Sequence, residues 1–460
     1  MKRRLLLFIA LVLAPGPGCA PTAESGDWPN VLLITIDTLR RDHCSVYGYA
    51  HDTTPHLRRV AEGGLRFDLA YAPTPTTGPT HASILTGLYP PAHRVVKNGV
   101  ALAARNETLA EILAAQGYQT SGIVSSFVLH ARFGFGQGFS VYQDDFEAAT
   151  ASASVSTWEG QDVEKGFDRR ADATTRRAIR WLWEDRDRER PFFLFVHYFD
   201  PHSPYEAPGA FAQRFPPPDP GAGEGIQASL AFRQAVRNYD GEIAFTDQEI
   251  GRLLDAIERQ GLSEKTLVVI TADHGEGLMD HGAMLHGLDL YEENVRVPLL
   301  LRWPDRIPAG RVLAQPVELV DLAPTILDLI GVKSSRAFQG RSLAASLRGD
   351  EPLDPDRPIY LHRRRFDAEY ADGIYVKGRQ FGIRWGRWKT IDAPDQGRTA
   401  LYDLESDPQE RTDRSRSDAD QAARLAEKLM EWRRSGTSDP AFRGLSESDR
   451  EALEALGYSE

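Results

Sequence analysis

Short, nearly uninterrupted apolar runs recur along the first two thirds of the chain. They cover residues 30–36, 120–124, 192–196 and 266–271. Continuous apolar runs of this length are typical of strands that are covered on both faces, as in a mainly parallel sheet. We therefore predict that these four segments form the centre of one sheet.

Helical patterns lie between these runs. One helix is predicted to begin at Pro55, because proline suits the first turn of a helix, and to end near Gly63. A longer helical pattern extends from Ile243 to Ile257 and ends at Gly261. Strands that alternate with such helices indicate an α/β fold, in which a large mixed, mainly parallel sheet is flanked by helices.

The pattern changes after about residue 345. Short strand-like segments follow one another closely there, and a helical pattern covers residues 417–434. Strands without helices between them favour antiparallel pairing. We predict a main domain at 29–345, a small antiparallel C-terminal subdomain at 346–435 and a tail at 436–460.

The N-terminal residues form a different pattern. Basic residues at 2–4 precede an apolar run at 5–14, which is shorter than the about 20 residues that a membrane-spanning helix needs. A basic start followed by a short apolar run is typical of a secretory signal peptide. We predict a signal peptide at 1–19, a tether at 20–28 and export to the periplasm or cell envelope.

Gly18-Cys19 resembles the lipobox of bacterial lipoproteins, although Gly16 and Pro17 replace the usual residues. The sequence leaves open whether Cys19 carries a lipid, and membrane contact is expected only through such an anchor. The other cysteine is Cys44, so no disulfide is expected within the mature chain.

The composition is that of a soluble globular protein, with 41% hydrophobic and 26% charged residues. A formal net charge of −12 over 460 residues predicts no nucleic-acid-binding patch. An anionic substrate would therefore need a local positive site, such as a metal ion.

Polar residues follow three of the four apolar runs. They are Asp37 after the first, His197, Asp200 and His202 after the third, and Asp273 and His274 after the fourth. Each alone is more typical of a turn, a cap or a packed core position. Because ligands bind at the carboxyl ends of strands in open α/β sheets, these side chains could converge on one cation.

The segment 76–90 contains the candidate nucleophile. Pro79 suits the first turn of a helix, so Thr77 is expected at the N-terminus of that helix. Free N–H groups and the helix dipole favour an anion there, and a hydroxyl beside a metal can ionise and attack. The alternative interpretation is that Thr77 only caps the helix.

Five segments in order resemble the motifs of the sulfatase family, within the alkaline phosphatase superfamily. They are IDTLR at 36–40, the segment 76–90, DPHSPY at 200–205, ADHGE at 272–276 and YEENVRVP at 291–298. The likeness extends over about residues 29–410 and implies an alkaline-phosphatase-like sheet.

The resemblance also implies roles for individual residues. The implied metal ligands are Asp37, Thr77, Asp273 and His274; the implied catalytic residues are Thr77 as nucleophile with His202 and His286 at the leaving group; the implied substrate-binding residues are His81, Lys97, Asn98 and His197. One divalent ion is expected, which could be Ca, Mn, Mg or Zn, and a second ion is left open. The expected partner is an anionic ester substrate.

The sequence departs from the usual sulfatase pattern in four places. One is His274, where typical sulfatases often carry asparagine and phosphoester-cleaving relatives more usually carry histidine. Thr77 stands where sulfatases carry a cysteine or serine that becomes formylglycine, and a threonine cannot form that aldehyde. Ser125 and Phe127 stand where a Lys-x-His pair is usual, and His81 replaces an arginine. Thr77 followed by Asn98 also resembles the nucleotide pyrophosphatase/phosphodiesterases, although their full second-metal set is not evident beyond Asp200 and His202.

These features predict a metal-dependent hydrolase of sulfate or phosphate esters that acts through a covalent intermediate on Thr77. Without formylglycine, water must attack the central atom of that intermediate. This favours the alternative of a phosphodiesterase or phosphonate monoester hydrolase. A head-group transferase and a non-catalytic binding protein are further alternatives.

The N-terminal pattern gives a direct test. If Cys19 carries a lipid, the wild-type chain is expected in the membrane fraction of a bacterial host and the Cys19→Ala variant in the soluble fraction. Immunoblots of the two fractions measure this. Cys44→Ala is the matched control and should leave the distribution unchanged, and equal distributions of all three proteins would contradict lipidation.

Overall fold

The computed structural model describes residues 28–146, 157–158, 161–162, 167–219 and 225–437. The predicted signal peptide, Cys19, the tether up to residue 27 and the tail beyond residue 437 lie outside the described residues.

The strands lie in three sheets. In chain order they are β1 (Asn30–Ile36), β2 (Leu65–Tyr71), β3 (Gln119–Ile123), β4 (Val141–Gln143), β5 (Thr157–Trp158), β6 (Gln161–Asp162), β7 (Phe192–Tyr198), β8 (Thr266–Ala272), β9 (Arg296–Arg302), β10 (Arg311–Leu313), β11 (Val317–Glu318), β12 (Ile359–Ala371), β13 (Ile374–Trp385), β14 (Trp388–Ala393) and β15 (Arg398–Asp403).

Ten α-helices are present in the described ranges. They are α1 (Pro55–Glu62), α2 (Thr77–Thr86), α3 (Pro90–His93), α4 (Leu109–Ala115), α5 (Ala171–Arg180), α6 (Leu230–Arg259), α7 (Glu292–Val295), α8 (Leu322–Ile330), α9 (Ala344–Arg348) and α10 (Ala419–Thr437). None of the described helices is long and apolar enough to cross a membrane.

The largest sheet is mixed and has nine described strands in the order β10-β2-β9-β8-β1-β7-β3-β4, with β11 beside β2. β1 pairs in parallel with both β7 and β8, and every residue of these three strands is buried. This confirms the predicted α/β class and the central strands. The apolar pattern did not predict β2 and β9, which pair antiparallel with each other and make the sheet mixed.

The second sheet is antiparallel, in the order β12-β13-β14-β15, and confirms the predicted C-terminal antiparallel sheet. Leu425 and Leu429 of α10 pack on one face of it, against Phe381 and Ile383. On the other face, Leu361 belongs to a buried cluster with residues of the main sheet. The predicted boundary at residue 345 stays a prediction.

The strand register places the polar residues that follow the strands. In β1, Ile36 lies opposite Tyr198 of β7 and Ala272 of β8. The residue after each of these positions therefore emerges at the same edge of the sheet. This brings together Asp37 and Asp273, which are 236 residues apart in the chain.

Candidate active site

Two acidic residues and one histidine converge at the carboxyl ends of β1 and β8. Asp37, Asp273 and His274 each offer one ligand atom, and these atoms all lie within 4.8 Å of one another. All three side chains are buried. The strand ends therefore bring together a ligand set of the kind that holds a divalent cation.

Three carboxylate oxygens of this group have no hydrogen-bond partner among the described residues. They are both oxygens of Asp37 and Oδ2 of Asp273. The remaining oxygen, Asp273 Oδ1, accepts hydrogen bonds from the N–H groups of His274 at 2.8 Å and Thr38 at 3.3 Å. Buried carboxylates without partners are unfavourable, so a cation fits these residues on charge and on unsatisfied oxygens.

The two carboxyl groups respond differently to burial. Burial raises the pKa of Asp273, and the charge on Asp37 raises it further. Burial also acts to raise the pKa of Asp37, but neighbouring histidines, His197 first among them, outweigh it and hold the pKa below its ordinary value. Burial and the charge on Asp37 thus disfavour ionisation of both carboxyl groups at once, and Asp273 is the one whose pKa is raised.

The ring of His274 is oriented by a backbone bond. Its Nδ1 donates to the carbonyl oxygen of Gly275 at 2.9 Å, so the neutral ring presents a lone pair on Nε2. Nε2 faces Thr77 Oγ1 at 3.2 Å and Asp273 Oδ2 at 3.4 Å. Burial lowers the pKa of His274, which keeps the ring neutral as cation binding requires.

Thr77 is the first residue of α2, and Thr76 occupies the N-cap position without a side-chain capping hydrogen bond. The hydroxyl of Thr77 is therefore not the helix cap, and it points toward His274. The amide oxygen of Asn98 accepts a hydrogen bond from the N–H of Gly78 at 2.8 Å, next to Thr77. Asn98 and the half-buried Lys97 lie on the loop after α3, and Asn98 reaches the N-terminal end of α2.

His286 lies next to His274, and His202 lies next to His286. The ring centroid of His286 lies 4.4 Å from that of His274 and 5.1 Å from that of His202. Nδ1 of His202 donates to the carbonyl oxygen of Ser203 at 2.7 Å, which leaves Nε2 as the nitrogen without a backbone bond.

A buried carboxylate that the sequence analysis missed holds His286. Oε1 of Glu276 lies 3.0 Å from His286 Nδ1, and Oε2 accepts a hydrogen bond from the hydroxyl of Tyr205 at 2.9 Å. Burial lowers the pKa of His286, but the Glu276 carboxylate outweighs burial and raises it above its ordinary value. Tyr205 ends the family-like segment 200–205 and Glu276 ends the segment 272–276, and this position is the sequence signal that could have identified them.

His81 and His197 lie behind the ligand residues, and neither side chain is exposed. Nδ1 of His81 donates to the carbonyl oxygen of Thr77 at 2.8 Å, and Nε2 accepts from the Thr35 hydroxyl at 2.9 Å. Nδ1 of His197 accepts from the N–H of Ser125 at 3.3 Å, and Nε2 lies 3.5 Å from Asp37 Oδ2. Both rings thus orient other site residues, and their predicted contact with the substrate stays a prediction.

A second group of three metal-ligand atoms combines His81, His197 and Asp273. It is a weaker cation site, because both ring nitrogens of His81 already form hydrogen bonds. Asp200 belongs to neither group of the described residues, and its Oδ2 accepts a hydrogen bond from the N–H of Ala171 at 2.6 Å. Asp200 and His202 therefore do not complete a second ligand set here.

Comparison with known proteins identifies the family. A family model described as sulfatase matches residues 29–332, which is more than half of the chain. The chain belongs to the sulfatase family. A second model, of the C-terminal region of N-sulphoglucosamine sulphohydrolase, matches residues 281–435 of this sulfatase-family protein.

Individual relatives cover most of this sulfatase-family chain. An N-acetylglucosamine-6-O-sulfatase of Bacteroides thetaiotaomicron is 28% identical, over 88% of the chain and 86% of the relative. A multifunctional alkaline phosphatase superfamily protein of Trinickia caryophylli is 29% identical, over 75% of the chain and 81% of the relative.

Solved structures agree with these relatives. A phosphonate monoester hydrolase of Agrobacterium radiobacter has a TM-score of 0.72 and 25% identity, covering 89% of this chain and 96% of that one. A protein in complex with its substrate D-glucosamine-2-N,6-O-disulfate also has a TM-score of 0.72 and 25% identity, covering 90% and 99%. The predicted family, the alkaline-phosphatase-like fold and the identification as a sulfatase-like ester hydrolase are confirmed.

The unusual carboxyl pair gives a stability test. Because the folded-state pKa of Asp273 is raised, ionisation of this group destabilises the folded protein; the effect is absent below about pH 4 and grows as the pH rises. Asp273→Asn cannot ionise and keeps an oxygen for the two N–H donors. In EDTA at pH 8 we therefore expect the variant to exceed wild type in unfolding free energy.

Urea denaturation of both proteins between pH 4 and pH 8 measures this difference, which should vanish at the acidic end. Divalent ions should raise the melting temperature of wild type and not of Asp273→Asn. Asp168→Asn, at another buried aspartate, is the control and should keep the ion response. A constant difference across this pH range would contradict the assignment.

Proposed function

We propose that this sulfatase-family enzyme hydrolyses monoanionic sulfate or phosphate esters with Thr77 as the nucleophile. The observation that carries the proposal is the position of the Thr77 hydroxyl, 3.2 Å from His274 Nε2 and beside unpartnered carboxylate oxygens. Its place in the first turn of α2 adds the positive end of the helix dipole.

Asp37, Asp273 and His274, with the Thr77 oxygen, would hold a divalent cation. Carboxylate oxygens and one imidazole suit Zn, Mn, Mg or Ca, so the ligand types leave the ion open. When bound, such an ion would lower the pKa of the Thr77 hydroxyl and offset negative charge on the ester. One complete ligand set among the described residues supports a single ion.

The reaction proceeds in two displacements. The Thr77 oxygen forms a bond to sulfur or phosphorus while the bond to the ester's alcohol oxygen breaks. Lys97 and the side-chain N–H groups of Asn98, beside the positive end of the α2 dipole, would bind nonbridging oxygens. Water then attacks the same sulfur or phosphorus atom, releases the acid and regenerates the Thr77 hydroxyl.

His286 is the favoured proton donor for the leaving alcohol, and His202 is the other candidate. Glu276 fixes Nδ1 of His286 and favours the protonated ring, which leaves Nε2–H to give its proton to the departing oxygen. In His202, by contrast, Nδ1 donates only to the neutral carbonyl oxygen of Ser203.

The chemistry of Thr77 favours phosphodiester or phosphonate monoester substrates over sulfate esters. A sulfated formylglycine can expel its sulfate by elimination from a hemiacetal, and a threonyl ester has no such route. The described ligand set contributes neutral histidines rather than lysine or arginine, which suits a monoanion better than a phosphate dianion. The similarity to a phosphonate monoester hydrolase supports this choice, and the similarity to an N-acetylglucosamine-6-O-sulfatase supports sulfate esters.

The nucleophile is tested by Thr77→Ala. Turnover of bis-p-nitrophenyl phosphate and p-nitrophenyl sulfate by the ion-loaded protein should fall by about 10³-fold or more, because the covalent route is lost. Thr76→Ala removes the neighbouring hydroxyl and should keep activity within about threefold. Intact-protein mass spectrometry after rapid quenching should detect the ester adduct on wild type only.

Retention of full activity by Thr77→Ala would contradict the nucleophile. Faster cleavage of the sulfate ester than of the diester by wild type would contradict the preference for phosphorus.

The proton donor is tested through the leaving group. With an alkyl ester, whose alcohol leaves poorly, His286→Ala should lower kcat by about 10²–10⁴-fold. With a p-nitrophenyl ester, the loss should be much smaller, because that leaving group needs no proton. His202→Ala should show less of this dependence, and the reverse order would assign the proton transfer to His202.

A further inference from the structure

The turn that follows Asp37 has an unusual backbone conformation. Thr38 has a φ of +54°, in the left-handed region, which β-branched residues rarely adopt. Its hydroxyl is buried and has no hydrogen-bond partner among the described residues, so its own side chain does not stabilise this conformation. Such a conformation persists only where surrounding groups hold it.

The conformation of Thr38 matters because of its neighbours. The residue follows Asp37 directly, and its N–H donates to Asp273 Oδ1 at 3.3 Å. A change in this turn would move the Asp37 carboxylate and the N–H that orients Asp273. The geometry of both acidic ligands therefore depends on one strained residue.

A tyrosine from the long helix α6 spans this turn. The hydroxyl of Tyr239 donates to the carbonyl oxygen of Thr38 at 2.7 Å and accepts from the N–H of Arg40 at 2.8 Å. The side chain is fully buried. One phenol thus bonds to two backbone groups of the turn, on either side of Leu39.

The ring of Tyr239 is itself held in place. It packs edge-to-face against His43, with centroids 5.3 Å apart, and against Tyr205, with centroids 5.4 Å apart. Nδ1 of His43 bonds to Asp240 on the next position of α6 at 2.7 Å. The hydroxyl therefore has a fixed position from which to hold the turn.

We infer that Tyr239 is a positioning residue for the cation site, whose phenol holds Thr38 in the left-handed conformation that aims Asp37 and Asp273 at the ion. This inference rests on the proposed cation site and assigns Tyr239 no contact with the ion or the substrate. It predicts that the hydroxyl contributes to ion affinity, and that its contribution disappears when residue 38 no longer needs to be held.

The first measurement is ion affinity. Zn²⁺ and Mn²⁺ are titrated separately into the metal-free full chain by isothermal titration calorimetry. Tyr239→Phe should weaken binding by about tenfold, within the range typical of residues that orient metal ligands. Tyr118→Phe is the matched control: Tyr118 is also buried, and its hydroxyl donates to the carbonyl oxygen of Pro29 at 3.0 Å, before the other end of β1. It should change affinity less than about twofold.

The second measurement separates the turn from general packing. Glycine adopts positive φ without steric strain and alanine does not, so metal-free Thr38→Gly should have a higher melting temperature than Thr38→Ala, although both variants lose the buried threonine side chain. In the Thr38→Gly background, Tyr239→Phe should weaken ion binding by less than about threefold, because the two changes act on one feature and are not additive.

The outcomes are distinct. Failure of wild type to bind either ion would contradict the proposed cation site. Binding by wild type with unchanged affinity in Tyr239→Phe would overturn this inference alone. If Tyr239→Phe lowers ion affinity equally in the wild-type and Thr38→Gly backgrounds, the Tyr239 hydroxyl does not act through Thr38. A melting temperature of Thr38→Gly at or below that of Thr38→Ala would overturn the inference even if Tyr239→Phe did not fold.

Discussion

Two buried carboxyl groups face each other at the end of the central strands, and the surrounding structure is organised around them. The parallel register of β1 and β8 brings Asp37 and Asp273 to one edge of the sheet with almost no exposure to solvent. Two like charges in such a place are unfavourable without compensation. The backbone N–H groups on Asp273, the neutral ring of His274 and the unpartnered oxygens of Asp37 are all consistent with a site completed by a cation.

Three buried histidines surround this pair of carboxyl groups. His274 presents the lone pair of its Nε2 to the ligand group. His81 donates a hydrogen bond to the carbonyl oxygen of Thr77, and His197 Nε2 lies 3.5 Å from Asp37 Oδ2. Burial lowers the pKa of His81 to about 3, so it contributes no charge. The positive charge for an anionic ester then comes from the proposed cation, Lys97 and the N-terminus of α2 rather than from these inner rings. That balance suits a monoanion and agrees with a nucleophile that cannot become formylglycine.

One face of α6 connects the two sides of the site. Tyr239 holds the turn after Asp37, and its ring packs on Tyr205, whose hydroxyl bonds to Glu276. Glu276 in turn holds His286 on the side proposed for the leaving group. The ligand side and the proton-donor side therefore share one buried support, although they come from different strands.

The sequence by itself determined the fold class, the central strands and most of the residues that converge. Uninterrupted apolar runs mark strands buried on both faces, and polar residues directly after them, such as Asp37 and Asp273, must emerge at the same edge if the strands are parallel. The motifs added the family and Thr77. Only the tertiary structure decided that the Thr77 hydroxyl faces His274 instead of capping α2, that His81 and His197 lie behind the ligands, and that Glu276 and Tyr239 hold the site. These are hydrogen bonds between distant segments: Tyr239 and Thr38 are 201 residues apart, and their distance and direction depend on how α6 packs on the sheet, which no local pattern contains.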